Sequence, residues 1–295
     1  MSDLLHVPGP DGRTIEVLDG GDPEGFGLLF HGGSPSAVAG FALLDDTARR
    51  LGLRFVTYSR PGYGASTPRP AAGAYADDVV ESVAVLDHLG IADFVTAGWS
   101  GGGPRALACA ALLPERCRAA ASIAGVAPYD AAGLDWFDGM AEENHAEYHA
   151  AEQGADAYAA YLEAEFTPML RASAAEVAEA MGGLVTPVDK AAMTGDLADW
   201  IARTFHRAGA QGVVGVRDDG LAAVRPWGFD LDDIRVPVAV WQGREDAMVP
   251  FAHGEWLAAA VPGAEAHLFD AEGHLSIVVR QLATILTDLG RLAGI

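Results

Sequence analysis

TAGWSGGGPRALACAALLPERC, Thr96–Cys117, is the stretch that decides the fold. An apolar, β-branched run at Asp93–Ala97 enters Gly98-Trp99-Ser100-Gly101-Gly102. Pro104 then stands near the first position of a helix, where its missing N–H costs nothing. The Ala106–Leu113 part of that helix carries no charge, as expected of a helix packed on a sheet. A serine flanked by glycines is weak evidence in a chain with 36 glycines. Its place between a strand and a helix is the informative part. Glycines at 98 and 102 permit a turn tight enough to lift the Ser100 hydroxyl above the sheet edge, with the Gly101 amide at the helix start turned toward an anion.

The surrounding pattern predicts an α/β protein. TIEVLDGG (14–21), FGLLFHGG (26–33), LRFVTYSRPGYG (53–64), DFVTAGWSGG (93–102) and RAAASIAG (118–125) read as strands or strands running into turns. SAVAGFALLDDTARRLG (36–52) and YADDVVESVAVLDHLG (75–90) read as helices with charged last turns and closing glycines. Such alternation implies right-handed crossovers and a mostly parallel sheet flanked by helices. From 128 to 232 the rhythm stops, and QGVVGV (211–216) is the single candidate strand there. That stretch is alanine-rich, with 19 acidic against 6 basic residues, and reads as several helices. Strands return at VPVAVWQGREDAMVP (236–250) and EAHLFDAEGH (265–274), followed by a last helix from Ser276. The expected division is a core of residues 1–127 and 233–295 with an inserted α-helical cap at 128–232.

A serine hydroxyl attacks only with help from a base, an acid that orients the base, and donors for the oxyanion. Asp246, in GREDAMVP, and His274, in DAEGHLS, each follow the C-terminal end of a strand, where ligands bind in open α/β sheets. Glu245 is the rival acid. HGGSPS (31–36) follows an earlier strand and offers the second oxyanion donor through Gly33, with Ser34 the next candidate. His31 is placed to hold that loop by hydrogen bonds rather than to react.

Taken in this order, HGGSPS, YSRPGYGAS, GWSGGGP, GREDAMVP and EGHLS resemble the motifs of an α/β-hydrolase with a helical cap, over Phe26–Ser276. The resemblance implies Ser100 as nucleophile, His274 as general base, Asp246 as its partner, and Gly101 and Gly33 as the oxyanion hole. Ser59 stands where many relatives carry aspartate, a position read as structural. An aspartate at 100 would have indicated a dehalogenase or an epoxide hydrolase; serine indicates acyl transfer. The expected reaction is cleavage of a carboxylic ester or related acyl substrate through an acyl-enzyme, with neither metal nor organic cofactor. An aminopeptidase similar to proline iminopeptidases, a carbon–carbon hydrolase, lactonase, thioesterase or perhydrolase could use the same triad. A non-catalytic ligand-binding module on this fold is the alternative of a different class.

The remaining features narrow the field. A net charge of −22 argues against nucleic acid and anionic membranes as partners. Lys190 is the sole lysine, and no Gly-Lys-Ser/Thr phosphate loop exists. No window approaches a membrane span, and MSDLLHVPGPDGRT lacks the character of a secretory signal, so a cytoplasmic location is expected. Cys109 and Cys117 are too few for a disulfide framework and read as reduced thiols. His145 and His149, in NHAEYH, share a helix face, but Ala146 stands where a zinc-peptidase motif needs glutamate. Trp99, Trp136, Phe137 and Trp227 are candidates for lining a small-molecule acyl pocket, alongside Tyr148, Phe166 and Phe205, and spacing alone does not separate that role from ordinary packing. Oligomeric state is left open.

Overall fold

Among the described residues of the computed structural model, eight strands lie in one sheet, in the order β1-β2-β4-β3-β5-β6-β7-β8. They are β1 (Asp3–Pro8), β2 (Thr14–Gly21), β3 (Phe26–His31), β4 (Leu53–Tyr58), β5 (Phe94–Trp99), β6 (Cys117–Ile123), β7 (Val238–Gly243) and β8 (Glu265–Phe269). The structure describes residues 3–173, 176, 182–193 and 195–295. β1 and β2 pair antiparallel, as do β2 and β4; every other neighbouring pair is parallel. The C-terminal ends of β3, β5, β7 and β8 therefore share one edge of the sheet.

Central β5 and β7 are buried at every residue, as a sheet covered on both faces requires. Helices α1 (Ala42–Arg50), α2 (Val79–His88), α3 (Gly103–Leu112), α10 (Phe251–Ala260) and α11 (Ser276–Ala293) provide the covering. One apolar cluster joins Leu28, Val95, Ala121 and Ala239 to Ile277, Leu282 and Ile285 of α11. A second, on the opposite face, joins Leu29, Val56 and Val240 to Leu86, Leu107 and Leu257.

Among the described residues between β6 and β7 the longer elements are helices: α4 (Glu142–Glu152), α5 (Ala155–Tyr161), α6 (Thr167–Leu170), α7 (Pro187–Ala192), α8 (Gly195–Ala208) and α9 (Val214–Ala223). QGVVGV is not a strand. Gly212 turns the chain at φ 71°, and the valines of 213–216 enter α9, where Val216 packs into an apolar cluster with Tyr158 and Leu162. Gly215 is needed here, because a Cβ would lie 2.7 Å from the Tyr63 ring.

Two other expectations change. The helix expected over 36–52 begins only at Ala42, since the carbonyls before it are taken by α8. Trp200 Nε1 donates to Ala39 O at 3.0 Å, Arg203 to Gly40 O at 3.1 Å, and Arg207 Nε to Val38 O at 2.6 Å. The segment 75–90 opens with a 3-10 turn at Tyr75–Asp78 before α2. In addition, Leu4–Val7 sits within an edge strand, β1, which the sequence pattern did not reveal.

Candidate functional site

The turn after β5 has the geometry that its glycines imply. A Cβ on Gly98 would lie 2.0 Å from Gly102 O, and one on Gly102 would lie 2.1 Å from His31 O. Ser100 itself takes a left-handed conformation, φ 57°, which a non-glycine residue adopts at a cost. α3 begins at Gly103, just beyond it.

The loop after β3 lies against this turn. The Gly33 Cα is close enough that an added Cβ would be 3.1 Å from Ser100 Cβ, and one on Gly101 would be 2.9 Å from Ser34 Oγ. Arg60 donates to Gly32 O at 2.8 Å and to Gly33 O at 2.7 Å. In a planar trans peptide the N–H points opposite the carbonyl, so the Gly33 N–H is turned away from Arg60. Arg105, on α3, holds Gly101 O at 2.5 Å.

Both arginines converge on one carboxylate from α9. Asp219 accepts Arg60 Nη2 at 2.5 Å, Arg105 Nη2 at 2.6 Å and Tyr63 Oη at 2.8 Å, and also the Ser34 hydroxyl. Burial would raise this carboxyl, but the charges of Arg105 and Arg60 outweigh it and hold it down at about 2. His31 is buried beside the same arginines; its pKa is lowered to about 3 by burial and their charges, so it is a neutral packing group on Tyr58 and Cys109.

Asp246 and His274 stand together beyond β7 and β8. His274 Nδ1 and Asp246 Oδ2 are 2.8 Å apart. Asp246 also accepts Gln242 Nε2 at 3.0 Å and the Met248 and Val249 N–H groups at 2.9 and 2.8 Å. A carboxylate so saturated is fixed in place. Glu245 is exposed, which removes it as the rival. Burial pulls the His274 pKa down, but the Asp246 charge and hydrogen bond, with Asp189 nearby, leave it above its ordinary value. Ser100 and His274 line one cavity, although no hydrogen bond joins them here.

That cavity, about 1080 Å³ counting its open mouth, lies under the helices between β6 and β7. Gly33, Ser34, Trp99, Ser100, Gly101 and His274 contribute to its wall. So do Tyr148, Phe166 and Phe205, but not Trp136, Phe137 or Trp227. Trp136 instead donates to Ala127 O at 2.9 Å and packs edge-on against Tyr148, with Phe137 beside it. Trp227 lies in the core, edge-on to Tyr75. The expectation for these three fails because their rings are turned into packing contacts, Trp136 and Phe137 against Tyr129 and each other and Trp227 against Tyr75. Trp99 donates to His274 O at 3.1 Å and stacks on Trp200.

Asp189, Asp219 and Glu147 are site residues that the sequence did not single out. Asp189, on α7, accepts the backbone N–H groups of His274, Leu275 and Ser276 at 2.9, 2.9 and 2.8 Å. Its only sequence signal was membership of an acidic helical stretch. His145 and His149 do not act as a ligand pair: the first bonds Phe137 O, the second Glu152. Among the described residues, Glu265, His267 and Asp288 bring ligand atoms within 4.8 Å of one another, but Arg291 already pairs with both carboxylates, and none of the three lines the cavity. Ser59 is buried, linking Glu16 to the Val38 N–H. No helix among the described residues is long and apolar enough to cross a membrane.

Comparison with known proteins agrees with this architecture. A 2-hydroxy-6-oxononadienedioate/2-hydroxy-6-oxononatrienedioate hydrolase of Paraburkholderia phymatum is 25% identical over 301 residues, 93% of each chain. A pimeloyl-[acyl-carrier protein] methyl ester esterase of Aromatoleum aromaticum is 44% identical over 54 residues, which span 18% of this chain and 22% of that protein. A malate-bound esterase from Thermogutta terrifontis superposes with a TM-score of 0.66 at 18% identity, covering 99% of both chains. The family model for the alpha/beta hydrolase fold matches residues 28–281, and the chain belongs to that family.

Proposed function

We propose that the protein is a serine hydrolase that cleaves a carboxylic ester through an acyl-enzyme on Ser100. The observation that carries this reading is the 2.8 Å His274–Asp246 contact, facing the cavity that also holds Ser100 on its left-handed turn. Its family membership and its hydrolase and esterase relatives support hydrolytic chemistry.

In this mechanism the Ser100 hydroxyl attacks the substrate carbonyl as His274 Nε2 takes its proton. Substrate entry draws the two groups into hydrogen-bond reach, a tightening common on going from free enzyme to complex. Asp246 keeps the Nδ1 proton in place and stabilises the imidazolium. The Gly33 and Gly101 N–H groups receive the developing oxyanion. His274 then protonates the departing alcohol, and water deprotonated by His274 clears the acyl group. In this reading the helices at 128–232 act as a cap that excludes bulk water, with Tyr148, Phe166 and Phe205 among its contributions to the cavity.

Carbon–carbon cleavage of a dioate, suggested by the Paraburkholderia relative, is the competing reading. A dioate carries two carboxylates, and among the described residues no arginine or lysine lines this cavity. A neutral ester needs no such partner, so the ester reading is preferred. Mass spectrometry after fluorophosphonate treatment tests the activated Ser100 that the proposal requires. One adduct on a Ser100 peptide, missing from Ser100→Ala, is expected; an unlabelled, folded wild-type protein would refute it.

A further inference from the structure

Among the described residues, the carboxyl and imidazole groups of the cavity wall are His274, Asp219 and Glu147. Two of them have counter-charges: His274 faces Asp246, and Asp219 faces Arg60 and Arg105. Glu147, on α4, does not. Its Oε1 accepts the Tyr158 hydroxyl at 2.6 Å, and among the described residues no cation pairs with it. Gly220 of α9 allows this arrangement, since a Cβ there would lie 2.3 Å from Tyr158 Oη. Two polar neighbours are committed elsewhere: Asn144 donates to Met248 O at 3.0 Å, and the Thr204 hydroxyl to Ala37 O.

Glu147 is partly buried, and a carboxylate drawn back from bulk water is best matched by a cation or several donors. Glu147 has one neutral donor. Burial raises its carboxyl, Tyr158 pulls it partly back, and the anionic Asp219 raises it further. Tyr75, Tyr148, Phe166 and Phe205 line the same space, and π-faces attract cations while repelling anions. The missing element is a positive charge brought in by the ligand.

We propose that Glu147 is the specificity residue of the cavity and selects esters that carry an alkylammonium group, seated between its carboxylate and the surrounding rings. This rests on the ester-hydrolase reading. The net charge of −22, with 19 acidic against 6 basic residues between 128 and 232, would also raise the local concentration of such a cation.

Two matched pairs test the assignment. For the acyl side, 4-nitrophenyl 6-aminohexanoate is compared with 4-nitrophenyl heptanoate, which exchanges an ammonium for a methyl. For the alcohol side, choline butyrate is compared with 3,3-dimethylbutyl butyrate. In at least one pair the wild-type kcat/KM should favour the cation by about tenfold or more, and Glu147→Gln should bring that ratio close to unity. Equal rates in both pairs, a preference for the neutral member in both, or a ratio that survives Glu147→Gln would overturn the proposal. The wild-type ratio decides alone if the variant does not fold. If no ester is hydrolysed and fluorophosphonate fails to label Ser100, the hydrolase reading has failed separately. Calorimetry on Ser100→Ala protein then decides the cation site. Hexylammonium binding that exceeds 1-hexanol binding and is lost with Glu147→Gln supports it; equal binding of the two overturns it.

Discussion

Asp189 accepts the main-chain N–H of His274 at 2.9 Å, although 85 residues separate them. The same carboxylate accepts the Leu275 and Ser276 N–H groups, so it caps the start of α11 from a different helix. Gly273 sits against it so closely that a Cβ would lie 2.6 Å from its carboxyl carbon. The helices between β6 and β7 thus anchor the histidine as well as cover it. In Asp189→Asn one face of the side chain becomes a donor opposed to a backbone donor. Losing a cap of this kind costs about 1–2 kcal/mol. Part of that loss should register as displacement of His274, lowering kcat/KM about tenfold. A purely structural role would lower stability and leave the pH profile in place. Removing this anion should also move the acid limb of kcat/KM to lower pH, because Asp189 is one of the charges that raise the His274 pKa.

Wild-type pH dependence follows from the same balance. In the proposed mechanism His274 must be neutral to accept the Ser100 proton, and its pKa lies above the ordinary 6.5. Activity should therefore fall with decreasing pH along a single-proton limb whose midpoint is above 6.5. The linkage to stability has the opposite sense. The raised folded-state pKa contributes stability that is full below 6.5 and is lost as pH rises through the folded value. A kcat/KM profile on any turned-over ester checks the limb; a midpoint below the ordinary value would contradict the geometry.

Asp219 makes a different prediction, because its partners are charges that have no water to fall back on. Arg60 is 4% exposed and Arg105 3% exposed. Asp219→Ala removes one anion from two buried guanidinium groups and should destabilise the fold by about 3–5 kcal/mol in urea unfolding. Arg105 keeps its second partner, Asp78, at 2.5 Å, so most of the cost should fall on Arg60. Arg60 orients the Gly32 and Gly33 carbonyls, and a variant that still folds should show a lower kcat more than a higher KM.

What could be read from the sequence was what depends on near neighbours. Ser100 stands out because a strand, a glycine-bounded turn and a proline-started helix fall within about a dozen residues. Asp246 and His274 stand out because each follows a strand end, and parallel pairing puts such ends on one edge. Asp189, Asp219 and Glu147 could not be told from the other acids between 128 and 232, since their roles come from partners 85, 114 and 11 residues away. The late start of α1 has the same origin: its first expected turn loses to carbonyl contacts with α8, far along the chain. Trp136 and Trp227 were attractive as pocket residues by size alone, and size does not reveal which way an indole points.

The turn at Ser100 allows a prediction that separates stability from chemistry. A non-glycine residue at φ 57° stores backbone strain of about 1–3 kcal/mol. Ala at this position keeps the strain and loses the hydroxyl. Glycine loses the hydroxyl and adopts positive φ freely, at an entropic cost of about 0.5–1 kcal/mol in the unfolded chain. Both variants should lack hydrolytic activity and fluorophosphonate labelling. Ser100→Gly should nevertheless unfold at higher denaturant than Ser100→Ala, by about 1 kcal/mol. Equal stabilities would mean that the strain of the left-handed conformation is no larger than the entropic cost of glycine, about 0.5–1 kcal/mol. The protein would then present its hydroxyl at little cost, and the tight approach of Gly98 to Gly102 would be the feature that holds the turn.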